Sequence, residues 1–140
     1  MLYRDFLKSL QGCPFCEEGQ RAVIEKEHAY LTYAIAPYHK HHLLVIPRRH
    51  TEIILDLSPE EVRDMESLQE EGLRLLKKLG YKNLTVLERE GDNASKSIAH
   101  LHTNLIPNVR VGDVDHEGNE RRVLTEEEID ATLAELKANL

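Results

Sequence analysis

The sequence predicts an α+β domain in which an antiparallel sheet of short strands carries one long helix across it. Strand-length apolar runs recur at 22–25, 30–35, 42–46, 83–88 and 97–107. The first three follow each other too closely for helical crossovers, which leaves hairpins. The stretch 59–79 keeps a helical apolar stripe long enough to lie over a sheet. At 140 residues the chain is expected to be one domain, 1–140, with room for one core.

Leu2, Phe6, Leu7 and Leu10 fall at helical spacing, so a short amphipathic N-terminal helix is expected to end near Gly12. Cys13-Pro14-Phe15-Cys16 follows. Such a pair is a redox couple, half of a zinc site or a coincidence. A redox couple sits at a helix start within a βαβ pattern, which this chain does not offer. Half a zinc site needs two further ligands elsewhere.

Ala22-Val23-Ile24-Glu25, Tyr30 to Ile35 and His42 to Ile46 read as strands, the last two closed by Pro37 and Pro47. The link Tyr38-His39-Lys40-His41-His42 is crowded with imidazole and reads as a largely solvated loop. Arg48-Arg49-His50 ends the third strand with positive charge and one more ligand type. Ser58-Pro59-Glu60-Glu61 is a helix start, with Ser58 as cap, Pro59 in the first turn and Glu61 completing a capping box. Val62, Met65, Leu68, Leu75, Leu76 and Leu79 form the stripe, which is core, and Gly80 stops it.

Asn83 to Glu88 is the fourth strand. Gly91-Asp92-Asn93-Ala94-Ser95-Lys96-Ser97 is small and polar, and can offer backbone N–H groups, hydroxyls and an ammonium to an anion. The fifth strand carries Ser97-Ile98-Ala99-His100-Leu101-His102-Thr103-Asn104-Leu105-Ile106-Pro107. With a period of two, His100, His102 and Asn104 share one face. A lone strand histidine is usually just exposed, but two imidazoles and a carboxamide in a row are not a packing arrangement. Val109 and Val111 extend this strand, Asp113 to Arg122 is a charged loop, and Thr125-Glu126-Glu127-Glu128 caps a C-terminal helix with Ile129, Leu133 and Leu136 on one face.

The net charge of −7 argues against an extended nucleic-acid partner, since phosphate-backbone binding needs a basic surface. It leaves room for a small nucleotide in a locally basic pocket. No apolar run reaches membrane-spanning length, and Met1 leads into Tyr3-Arg4-Asp5 rather than a signal-peptide core. The expected location is cytoplasmic, where Cys13 and Cys16 would be thiols or metal ligands rather than a disulfide.

His100-Leu101-His102-Thr103-Asn104-Leu105-Ile106-Pro107 resembles the signature of the histidine triad (HIT) superfamily, His-x-His-x-His followed by two apolar residues. His42-Leu43-Leu44-Val45-Ile46-Pro47-Arg48-Arg49-His50 resembles that family's strand ending in Pro, a basic residue and His. The 91–98 loop resembles its phosphate loop, and Cys13-Pro14-Phe15-Cys16 its zinc-carrying branch. The resemblance covers 13–107, leaving 108–140 as a C-terminal hairpin or loop and a helix. It implies a five-stranded antiparallel sheet, the long helix on it, short N- and C-terminal helices, and a homodimer made by extending the sheet.

By position, the resemblance implies one structural zinc per chain held by Cys13, Cys16, His50 and His100. Such a closed Cys₂His₂ set leaves no position for an activated water, which answers the rival reading of His100 and His102 as a catalytic zinc pair. His102 is then implied as the nucleophile, oriented by the His100 carbonyl, and forms a covalent nucleotidyl-histidine. Ser95, Lys96, Ser97, Asn104 and His42 are the implied phosphate and nucleotide contacts, and the base is expected near Ile35 and Leu44. The substrate would be a mono- or dinucleoside polyphosphate, a phosphoramidate or a nucleotide sugar, cleaved by hydrolysis or transfer. The alternative is a non-catalytic, zinc-stabilised nucleotide-binding or interaction module.

The chain departs from the family pattern in three places. Asn104 stands for the third triad histidine, as Gln does in the transferase branch typified by galactose-1-phosphate uridylyltransferase. An amide can hydrogen-bond a phosphate but cannot give a leaving group a proton, which favours transfer over hydrolysis. Ser95 and Lys96 replace the loop's Gly and Gln, and Arg89 replaces an Asn two residues before Gly91.

Overall fold

The structure is a computed structural model that describes residues 2–17, 21–91, 98–109 and 122–140. Helix α1 (Tyr3–Ser9) and the single turn α2 (Pro14–Glu17) precede strands β1 (Ile24–Glu25), β2 (Ala29–Tyr33) and β3 (Leu43–Pro47). A 3-10 turn at Ile54–Asp56 leads into helix α3 (Pro59–Lys78). Strands β4 (Leu84–Glu88) and β5 (Thr103–Pro107) and helix α4 (Glu126–Ala138) complete the order.

The strands form one sheet in the order β1-β2-β3-β5-β4, with every neighbouring pair antiparallel. Sequence neighbours β1, β2 and β3 are hairpin partners, as their short spacing requires. The last strand, β5, inserts between β3 and β4. Pleat alternation then sorts the core into two layers. Ala29, Leu31, Leu43, Val45 and Leu105 face α3 and pack on its Met65, Leu68 and Leu76. Tyr30, Leu44 and Ile46 face the other way, against Phe15 and Ile98.

Helix α3 starts where the capping box places it: Glu61 N–H donates to Ser58 Oγ at 3.1 Å, and Ser58 N–H donates to the Glu61 carboxylate at 2.9 Å. Its buried seam is Glu61, Met65, Leu68, Gly72 and Leu76, whereas Val62 and Leu79 of the expected stripe are exposed. Buried Glu61 keeps its charge because Arg49 donates to it from Nε at 3.2 Å and from Nη2 at 2.9 Å. That guanidinium holds the Glu61 carboxyl below the usual carboxylate range, and the Ser58 N–H adds to the effect. The pair also ties the segment after β3 to the helix N-terminus.

Gly72 sets how closely α3 approaches the sheet. A Cβ there would lie 2.6 Å from Leu105 Cδ1 and 3.2 Å from Leu31 Cδ1. Gly72→Ala gains up to about 1 kcal/mol of helix propensity but forces two core leucines to move, at about 1–3 kcal/mol. The expected outcome is a net loss near 1 kcal/mol in urea unfolding. A midpoint that rises would show that the layer spacing is not set here.

Several sequence expectations shift. Strand β1 shrinks to Ile24–Glu25, and β3 runs through Pro47, tolerated as its last residue. Strand β5 starts at Thr103, so His100 and His102 precede it rather than share its ladder. Asn108, at φ 55°, turns the chain off β5, so Val109 is not strand. Val111, most of the charged segment after it and the loop residues Ser95, Lys96 and Ser97 lie outside the described residues. Helix α4 has its capping box, Thr125 with Glu128, but Ile129, Leu133 and Leu136 are exposed and no residue of the helix is buried. Among the described residues, no helix is long and apolar enough to cross a membrane.

Candidate active site and metal centre

Two sites share one peptide segment, residues 98–104. At its start the backbone bends. His100 N–H donates to the Ile98 carbonyl at 2.9 Å, and Leu101 N–H donates to the Thr51 carbonyl at 2.7 Å. These bonds keep 98–101 out of the ladder and split the expected row: His100 turns one way, His102 and Asn104 another.

His100 is almost fully buried among the cysteines. Its Nδ1 lies 3.3 Å from Cys13 Sγ and 3.5 Å from Cys16 Sγ, and His50 Nδ1 lies 3.3 Å from Cys16 Sγ. The four ligand atoms fall within 4.8 Å of one another. Ligands about 2.3 Å (S) and 2.0–2.1 Å (N) from a tetrahedral zinc are spaced on this scale. The donor chemistry agrees as well. His100 Nε2–H donates to the Pro47 carbonyl at 2.7 Å, which leaves the lone pair on Nδ1, the nitrogen facing the thiols. Burial, with His50 and His102 beside it, lowers the His100 pKa against the opposing Pro47 bond, and this favours the neutral, ligating form. Cys13, Cys16, His50 and His100 therefore form a Cys₂His₂ group fit to hold a metal ion.

Local structure brings the four together. The turn α2 presents both cysteines and is pinned to the sheet by Tyr30 Oη, which donates to the Phe15 carbonyl at 2.6 Å. The cysteine pair does open a helical turn, as a redox couple would, but every neighbouring strand pair of the described sheet is antiparallel, so the turn belongs to no βαβ unit there. His50 follows β3 on the stretch held by Arg49 and Glu61.

His102 lies on the other side of the bend. Its Nδ1–H donates to the His100 carbonyl at 2.8 Å, and the edge of Phe15 meets its ring at 5.1 Å between centroids. It lines a cleft of about 410 Å³, together with the polar side chains of His42, Asn104 and Arg89. Phe15, Tyr33, Ile35, Tyr38, Leu44 and Ile98 make up much of the apolar remainder, a lining of the kind that receives small organic ligands.

The His42–Asn104 pair is fully oriented. Tyr38 N–H donates to His42 Nδ1 at 3.2 Å, so the His42 proton sits on Nε2 and is donated to Asn104 Oδ1 at 2.9 Å. Asn104 Nδ2 donates in turn to the Leu87 carbonyl at 3.0 Å. Burial lowers the His42 pKa, with the Asn104 bond opposing. His42 is therefore a neutral strut beneath Asn104.

The expected residues are thus gathered into two adjacent groups: the metal set, and His42, His102 and Asn104 in the cleft with Ile35 and Leu44. Sequence reasoning missed Phe15, whose ring touches both His100 and His102. An aromatic residue between two ligating cysteines was the available signal. The other histidines of the crowded loop stay apart from the cleft, with His39 and His41 packed against Tyr81.

Comparison with known proteins gives the same picture. A HIT-like protein of Methanocaldococcus jannaschii is 28% identical over 131 residues, 89% of this chain and 98% of that protein. An adenosine 5′-monophosphoramidase of Schizosaccharomyces pombe is 32% identical over 101 residues, 69% of this chain and 74% of its own length. A zinc-bound histidine triad family protein from Mycobacterium smegmatis has been solved. It matches with a TM-score of 0.61 and 27% identity over 92% of this chain and 98% of that one. Cys13 lies just ahead of the matched family span, yet its thiol is in the metal group. The HIT domain family model matches residues 16–111, well over half of the sequence, and this chain belongs to the HIT family.

Proposed function

We propose that the chain is a nucleotide hydrolase or nucleotidyltransferase that works through a covalent nucleotidyl-histidine at His102. The observation that carries this reading is the 2.8 Å bond from His102 Nδ1–H to the His100 carbonyl, with His102 lining the cleft. It selects one tautomer and leaves the lone pair on Nε2. A neutral imidazole is a competent nucleophile once oriented. In the first step, the Nε2–phosphorus bond forms as the bond from phosphorus to the leaving group breaks, and the electron pair departs with that group. In the second, an acceptor oxygen attacks phosphorus and the pair returns to Nε2. Water as acceptor gives up a proton to solvent. A phosphate acceptor attacks as an anion and gives up none.

Asn104 Nδ2 has a second N–H available to a non-bridging oxygen as charge builds there, and its partners at both ends keep the amide from rotating. His100 acts through its carbonyl and is a positioning residue. Ser95, Lys96 and Ser97 remain proposed phosphate contacts. Cys13, Cys16, His50 and His100 would hold one zinc, whose contribution is to brace the 13–16 turn against the 98–101 bend. Two copies would pair along the exposed edge of β4, where Val86 is 45% exposed, to give a homodimer with a continuous sheet.

The direct test is rapid acid-free quenching with a dinucleoside polyphosphate, followed by mass spectrometry of the peptide holding residue 102. A nucleoside monophosphate adduct on His102 is expected. Turnover without an adduct on any histidine would point to direct attack by water and end this reading.

A further inference from the structure

We propose that Phe15 is a positioning residue for His102, and that its ring carries the state of the metal-binding turn to that imidazole. The inference rests on the reading of His102 as nucleophile and deepens it by adding how the ring is held. Phe15 lies between Cys13 and Cys16, so its backbone belongs to the turn that presents both thiols. Its side chain is buried and meets two imidazoles at once. The ring centroid is 5.9 Å from that of His100 at 87°, and 5.1 Å from that of His102 at 67°. One ring thus touches both a member of the metal group and the proposed nucleophile.

A single hydrogen bond does not fix an imidazole. The bond from His102 Nδ1–H to the His100 carbonyl selects the tautomer and anchors one atom at 2.8 Å. The torsion that swings the rest of a histidine ring about its Cβ–Cγ bond is broad. Nε2 is aimed only if the ring also leans on a wall, and an edge-to-face aromatic contact is a favourable one.

That wall is anchored in turn. Tyr30, almost fully buried, donates from Oη to the Phe15 carbonyl at 2.6 Å, and Phe15 packs with Ala34, Leu44, Ile46 and Ile98. The flanking thiols face His100 Nδ1 at 3.3 and 3.5 Å. A turn closed on a metal by Cys13 and Cys16 holds its middle residue still, whereas a turn with loose thiols lets the ring drift. A core role accounts for an apolar side chain at this position. An aromatic ring set against these two imidazoles, on the turn that bears the thiols, is what the positioning role adds.

Heteronuclear NMR of the histidine side chains reads the outcome without turnover, in zinc-loaded protein with the ring neutral. The wild type should show His102 as the single Nδ1–H tautomer. In Phe15→Leu, which keeps all four metal ligands and should keep one zinc per chain, the signals should move toward a mixture of both tautomers. Chelation should move the His102 signals in the wild type and clearly less in the variant, the remainder passing through the His100 carbonyl. Formation of the adduct at saturating nucleotide should slow by about 10- to 100-fold in Phe15→Leu. Should Phe15→Leu not fold, Phe15→Met refills the volume with a flexible chain and takes its place. Should the metal-free chain unfold, cadmium exchanged for zinc perturbs the turn instead. An unchanged tautomer in the variant, or an equal response to metal with and without Phe15, would overturn the proposal. Absence of a nucleotide on His102 would end the nucleophile reading, while the NMR comparison would still decide whether Phe15 holds that ring.

Discussion

His102→Ala is expected to lower dinucleoside polyphosphate turnover by about 10³-fold or more, with nucleotide affinity held within about threefold. The large loss follows from chemistry: without Nε2 there is no covalent intermediate, and no other described imidazole in the cleft can replace it. His42 is tied at both nitrogens, to Tyr38 and Asn104, and His100 is turned into the thiol group. Affinity is kept because the apolar walls, from Phe15 to Ile98, are untouched. Steady-state kinetics beside calorimetry separates the two quantities. A chain with no turnover before the substitution would instead be a zinc-stabilised binding module. Release that depends on added phosphate or sugar phosphate would identify transfer, and release in buffer alone hydrolysis.

Cys13→Ser should produce the largest loss of stability. The half-buried Cys13 thiol faces the buried His100 across 3.3 Å. Removing one of four ligands from a closed set forfeits most of the metal's folding free energy. Of a total near 5–15 kcal/mol for a domain, a loss of at least about 3 kcal/mol is expected, lowering the melting temperature by roughly 10 °C. Metal content should fall from one zinc per chain toward none. Turnover should fall too, because the carbonyl that orients His102 belongs to the same residue as a metal-binding ring. Elemental analysis and thermal unfolding read these effects together. Retention of stoichiometric zinc by the variant, or identical melting of chelated and zinc-loaded protein, would refute the structural role.

These two residues also illustrate what can be read from the chain alone. The roles expected of both are implied by a family resemblance that short motifs carry; the structure puts Cys13 beside Cys16, His50 and His100, and His102 in the cleft. The departure at Asn104 is visible in the sequence, together with its inability to give up a proton, but its bonding is not. That Asn104 is locked between His42 and Leu87 depends on residues far apart in sequence.

What the sequence by itself determined is what neighbouring residues decide among themselves. Ser58 with Glu61 and Thr125 with Glu128 close their capping boxes within one turn. Alternation in β2 and β3 assigns Leu31 and Val45 to one face and Tyr30 and Leu44 to the other. Tertiary structure alone decided the rest. It placed β5 between β3 and β4, buried Glu61 under Arg49, pressed Gly72 against Leu105, and bent 98–101 so that His100 left the row. The physical reason is range: a cap or a pleat is satisfied within a few residues. Strand order and the path of a histidine follow from hydrogen bonds and packing that only a folded chain can make.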